Sequence, residues 1–141
     1  MERHQHITLE DVRLFIMDRT IDDNDLLLDL AYNDKEIENA MVRAAREYNG
    51  IPPFCSYADP DCLDGTTNMF LDGIAAQLYM STLNKLMRND IDYNSGGVTT
   101  NIVAKRIDHL KELIKMHQER FMQVAGDIKK GINIHQAFHH Y

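Results

Sequence analysis

Asp59, Asp61 and Asp64, in the stretch DPDCLDG, bring three carboxylates together with the donor type and spacing that open a calcium loop. The match then lapses. A calcium loop beginning at Asp59 needs an oxygen ligand at its fifth position, glycine at its sixth and glutamate at its twelfth, and these places hold Leu63, Asp64 and Phe70. The three aspartates stay as weak candidates for a loosely shared cation. Turn formation and complementation of a following helix dipole account for them as well.

The other chemistry-bearing residues are more scattered. His4 and His6 fall in an N-terminal segment expected to be mobile, and His139 and His140 lie at the other end. His109 and His117 are eight apart, too far for a metal-binding i, i+4 pair, and no HExxH motif occurs. Cys55 and Cys62 form no CxxC pair; their spacing permits a disulfide or a metal clip and specifies neither, and two free thiols in a reducing compartment is the reading adopted. Neither has a histidine nearby to activate it, and no GxSxG elbow is present. Gly96-Gly97 before Thr99-Thr100 resembles a phosphate cradle, but a P-loop follows a strand and carries a lysine, and no lysine lies between Lys85 and Lys105. The expectation is a protein without catalytic residues, cofactor or resident metal.

The elements around these residues read as helices. The chain has 141 residues, 44% hydrophobic and 26% charged, with three prolines and no tryptophan, which suits one ordered domain of helical bias. Thr8 before LEDVRLFIMDR is a helix N-cap followed by Glu10 and Asp11 at the positive end of the dipole. NDLLLDLAY reads as a short helix or a packed apolar turn. Asn33 and Glu36 form a capping box, and Ile37, Ala40, Met41, Ala44, Ala45 and Tyr48 make one apolar stripe, ended by Asn49-Gly50 and Pro52-Pro53. A long connection over 51–65 follows, with Phe54 and Tyr57 expected to anchor it to the body. Thr66 or Thr67 then caps a helix that is apolar most of the way round, the signature of a central bundle helix, and too often interrupted by Asp72, Gln77, Asn84 and Lys85 to span a membrane.

The last helix is expected from Asn101 to about Lys130. Val103, Ile107, Leu110, Ile114, His117, Phe121, Val124 and Ile128 step by four and three in a heptad seam, with His117 as its polar member. At 1.5 Å per residue such a helix is roughly 45 Å long, more than so small a core requires, so part of it should project. Gly131 is expected to stop it, dividing the chain into a helical bundle over 1–131 and an extended tail over 132–141. Between the last two helices, the loop with Asp92, Tyr93, Asn94, Gly96 and Gly97 reads as the joint that sets the long helix's angle.

Charge is uneven. The net charge is −7, yet residues 1–101 hold 8 Lys/Arg against 18 Asp/Glu while residues 102–141 hold 7 against 4. An acidic end and a mildly basic one favour complementary contacts with neighbours; two solvated faces of opposite bias is the plainer alternative. The N-terminus has no apolar segment of the kind a secretory signal needs, and a cytosolic setting is expected.

The order of these pieces, from DVRLFIMDR through AAREYNGIPP, LMRND and IDYNSGGVTTN to KKGINIHQAFHHY, with NGIPP and RNDIDYNSGG the most telling motifs, resembles the head-to-tail connector, or adaptor, proteins of tailed-bacteriophage necks. The resemblance spans nearly the whole chain. It implies an all-α bundle with a long C-terminal helix and an extended C-terminal tail, made in the host cytoplasm and resident in the virion neck. Such a protein forms a ring with copies of itself, dodecameric in the resemblance, beneath the portal. It binds the portal protein and the next neck or tail protein, and extends a channel through which DNA passes without sequence-specific binding. Ile132, Ile134, Phe138 and Tyr141 are the implied portal-docking residues, although the HHY ending carries little positive charge. The acidic excess suits a wall that should not grip DNA. The alternative is a small cytosolic helical binding or regulatory module that dimerises through the 103–128 seam.

Overall fold

The computed structural model describes residues 5–18, 31–54, 57–90 and 100–138. Among them are four α-helices and no β-strand: α1 (Leu9–Ile16), α2 (Asp34–Asn49), α3 (Met69–Asp90) and α4 (Thr100–Phe138), with one 3-10 turn at Pro60–Cys62. The fold is an all-α bundle with a long C-terminal helix. None of the described helices is long and apolar enough to cross a membrane.

Two capping boxes start the first two helices. The Thr8 hydroxyl accepts from the Asp11 amide while Asp11 accepts from the Thr8 amide, and Asn33 and Glu36 exchange the same pair of bonds. The six apolar residues expected of α2 are the six that it buries, and Gly50 caps its end. Tyr48 packs its ring on Phe70 at one end of α2, while Tyr32 Oη meets Thr82 Oγ1 at 2.6 Å and Lys85 Nζ meets Glu36 Oε1 at 2.6 Å at the other. These contacts run α2 antiparallel to α3.

Glu36 therefore has two ties. The bond from Lys85 and the bond from the Asn33 amide hold its carboxyl below the ordinary glutamate range. A depressed folded-state value contributes stability above the unfolded pKa and loses it as pH falls through the folded one. Between pH 7 and pH 3 the wild type should thus lose slightly more stability than Glu36→Gln, by up to about 1 kcal/mol because the pair is partly exposed. Equal losses in urea melts at the two pH values would refute this.

The first half of α3 is the centre of the molecule, with Met69, Phe70 and every residue from Asp72 to Leu78 buried. It starts one residue after Asn68, whose carbonyl takes the Asp72 amide, while Thr67 Oγ1 stands 3.5 Å from the Met69 amide. Helix α4 runs antiparallel to it: Asp72 meets His117, and one helical turn on Phe121 lies against Gly73 and Phe70.

The seam of α4 differs in its second half from the heptad expectation. Leu110, Ile114, His117 and Phe121 are buried as expected, but the next buried positions are Ala125 and Lys129, and Val124 and Ile128 are exposed. A straight helix advances 3.6 residues per turn, so a 3.5-residue pattern slips off the contact line and two steps of four bring it back. The seam is used on this chain's own α1 and α3.

Two expectations on the termini are corrected. The helix does not stop at Gly131 but continues to Phe138, so the stretch 132–138, expected to be extended, is helical. A Cβ at Gly126 or Gly131 would meet nothing within 4 Å, so these glycines sit in open helix, where each weakens it by only about 1 kcal/mol. At the other end His6 is held rather than loose: it bridges to Asp64, with Ile7 N donating to Leu63 O and Gly65 N to Gln5 O. Gly65 is required there, since a Cβ would stand 2.7 Å from the Gln5 carbonyl oxygen. The helix or turn expected at 24–32 lies mostly outside the described residues.

Candidate functional site: the projecting end of the long helix

At 39 residues, α4 is about 58 Å long and α3, with 22, about 33 Å. Because α3 begins opposite Phe121 and Ala125, the last turns of α4 run past it. Lys129 is the point where α4 leaves the body. It is 0% exposed, its Nζ donates to the Pro53 carbonyl at 3.0 Å, and it stands 4.3 Å from the centre of the Tyr48 ring. A cation over an aromatic face, with a carbonyl for its proton, keeps a buried ammonium satisfied.

None of the described side chains from 130 to 135 is buried. Lys130, Asn133 and His135 are exposed, Ile132 is half-buried, and Ile134 is 59% exposed. Phe54, one residue from the carbonyl that Lys129 holds, is 71% exposed, and Tyr57 is 76% exposed. The expectation that Phe54 and Tyr57 anchor the 51–65 connection is therefore wrong. Anchoring falls to Asn49, whose side chain accepts from the Ala58 amide at 2.7 Å and donates to its carbonyl at 3.0 Å, and to the buried Leu63.

The implied docking residues divide accordingly. Ile132 and Ile134 lie on the projecting turns; the Phe138 side chain and Tyr141 lie outside the described residues. So does the loop with Asp92, Tyr93, Asn94, Gly96 and Gly97, and so does Cys55. Cys62 is an exposed free thiol. Asp59 and Asp64 are occupied in turns, Asp59 accepting from the Asp61 amide and Asp64 from the Thr66 amide and hydroxyl. Among the described residues no three His, Cys, Asp or Glu side chains are grouped to hold a metal.

The buried polar groups act as fasteners. His117 Nδ1 lies 2.7 Å from Asp72 Oδ1, both buried, with the Phe15 ring edge-on to the imidazole and the Tyr79 ring tilted against it. This ties α1, α3 and α4 at one level, and burial pushes the Tyr79 phenol up. Burial also raises the Glu47 carboxyl, opposed by its bond to Gln77. Arg13 Nη1 donates to Asp18 and to the Tyr32 carbonyl, Nη2 to Asp34, and Asp18 takes the Ala31 and Tyr32 amides.

Lys129 and Asp18 escaped the sequence reading. A lysine beside Lys130 on a long helix reads as solvated, and its partner lies 76 residues away. Comparisons with family models, with curated proteins and with solved structures found no match.

Proposed function

We propose that this chain is a structural protein of a tailed-phage neck. In this reading it is the adaptor protomer that forms a ring beneath the portal and links the capsid vertex to the tail. The observation that carries the reading is the overrun of α4: a single helix leaves the bundle at Lys129 and presents Ile134, next to a body that exposes Phe54. Such an arm suits a protein that must reach a neighbour. The motif resemblance supplies the identity of that neighbour, the portal, with the next neck or tail protein on the other side. Burial of a large apolar side chain contributes about 1.5–3 kcal/mol, and repetition around a ring multiplies weak single arms through avidity.

Deletion of residues 131–141 tests the reading. The shortened chain should keep its helical bundle, since no described side chain after Lys129 is buried. It should fail to join DNA-filled heads, with occupancy down at least about tenfold at equal concentration, the order expected when several weak contacts are lost together. Normal attachment of a folded truncated chain, seen by electron microscopy of the heads, would sink the proposal.

A further inference from the structure

Two grooves meet at the N-terminal segment. One, of about 420 Å³, is lined by Ile7, Leu9 and Met41 and by the acids Glu38 and Asp61. The other, of about 340 Å³, shares Ile7 with it and is lined further by Leu14, Phe15, Leu71 and Asp11. Together they make an apolar bed with three carboxylates, and none of the described residues lining either groove is a lysine or an arginine. Leu14 is 44% exposed, so part of this bed stands open to water.

The walls are fixed by the chain's own bonds. Ile7 N donates to Leu63 O at 2.9 Å and Gly65 N to Gln5 O at 2.7 Å, which pins the segment between the grooves, and the Asp61 amide closes on Asp59. A surface built before its ligand arrives loses less freedom on binding.

Charge selects the occupant. Glu38 and Asp61 are exposed, and no ion pair among the described residues engages either. Asp11 accepts only from the amide and hydroxyl of Thr8, which are neutral donors, so its negative charge stays uncancelled. The wider field has the same sign, with 8 Lys/Arg against 18 Asp/Glu over residues 1–101. Near and far charges therefore both attract a cationic ligand and repel a phosphate-bearing one.

We infer that the paired grooves dock an extended segment of a partner protein that carries two large apolar residues, two positions apart, with lysine or arginine beside them. In an extended chain such residues face the same way, roughly 7 Å apart, so one apolar side chain enters each groove astride Ile7. The stems of the basic residues lie along apolar walls while their charged ends reach the carboxylates. A small organic cation would meet the acids but leave the apolar bed wet. The inference does not rest on the neck proposal and uses none of the residues of the arm, so either can fail alone.

The probe is a labelled Gly-Lys-Leu-Lys-Leu-Lys-Gly peptide, followed by fluorescence anisotropy against the full-length chain in low salt. Half-saturation is expected below about 1 mM, and added salt should weaken it. Peptides with alanine for both leucines, or glutamate for the lysines, should bind at least about tenfold more weakly. Two altered chains, one with Glu38→Gln and Asp61→Asn and the other with Leu14→Asn, should each lose about tenfold in affinity for the original peptide. All three positions are exposed, so circular dichroism should be unchanged. The inference is overturned if the wild type does not bind the peptide, if the alanine or glutamate peptide binds as well, or if both altered chains bind like the wild type. It is equally overturned by a wild type that self-associates and takes up no peptide, which would make a second copy the occupant.

Discussion

Replacing Asp18 by alanine is expected to destabilise the fold by about 3–5 kcal/mol, the range for removing one partner of a buried ion pair. For a chain of this size that lowers the melting temperature on the order of 10–15 °C. Asp18 is 5% exposed and accepts from Arg13 at 3.1 Å and from the amides of Ala31 at 2.9 Å and Tyr32 at 3.2 Å. Its loss orphans two backbone donors and leaves the buried Arg13 with the Tyr32 carbonyl and the exposed Asp34. Met17, the one described non-glycine residue at positive φ, turns the chain so that Asp18 points inward. Asp34→Ala should do far less, under about 1 kcal/mol, because that carboxylate is 70% exposed. Thermal melts of the two variants that fell within two or three degrees of each other, a spacing worth about 1 kcal/mol here, would show that the buried cluster does not hold this corner together.

Phe121→Ala should destabilise by a similar amount, about 3–5 kcal/mol, through lost burial and the cavity left behind. Phe121 is wholly buried between Phe70 and the backbone of α3 at Gly73, where an added Cβ would stand 2.8 Å from the ring. The pair makes a sharper forecast than the single change. With Phe121 present, Gly73→Ala overpacks the contact and should destabilise by about 1–3 kcal/mol, outweighing its gain in helix propensity. In the Phe121→Ala background the clash is gone, and the same substitution should stabilise by up to about 1 kcal/mol. Denaturant titration of the four chains reads the sign directly; a Gly73→Ala effect of one sign in both backgrounds would mean that the ring does not set the spacing of α3 and α4.

These sites show what the sequence reveals and what it hides. Local signals were legible: the Asn33–Glu36 box, the Thr8 cap, the α2 stripe and the all-round apolarity of α3 depend on residues within a few turns of one another. The middle of the α4 seam, Leu110 to Phe121, was legible for the same reason. Its second half was not, because the choice of Ala125 and Lys129 over Val124 and Ile128 depends on where α3 begins. Phe54 and Tyr57 look like anchors by residue type, yet Asn49 and Leu63 do that work, the first through a ring of bonds to Ala58. Gly131 looks like a stop, but a glycine in solvated helix is a small penalty spread over a 39-residue element. Of the proposed docking surface, Ile132 and Ile134 are visible in the sequence as apolar residues near the end of the long helix; the exposure of Phe54 is not, because only the Lys129–Pro53 bond brings the 50s connection to α4.

That bond has a mechanical meaning. A pull on the end of α4 travels along its backbone ladder to Lys129, the first wholly buried side chain among the described residues on the way in. There the load divides, part continuing down the helix to Phe121 and part crossing to Pro53 and the Tyr48 ring, hence to the end of α2. The arm is thus strained against two helices rather than peeled from one, and resistance to shear is set at the root of the arm as well as at its tip.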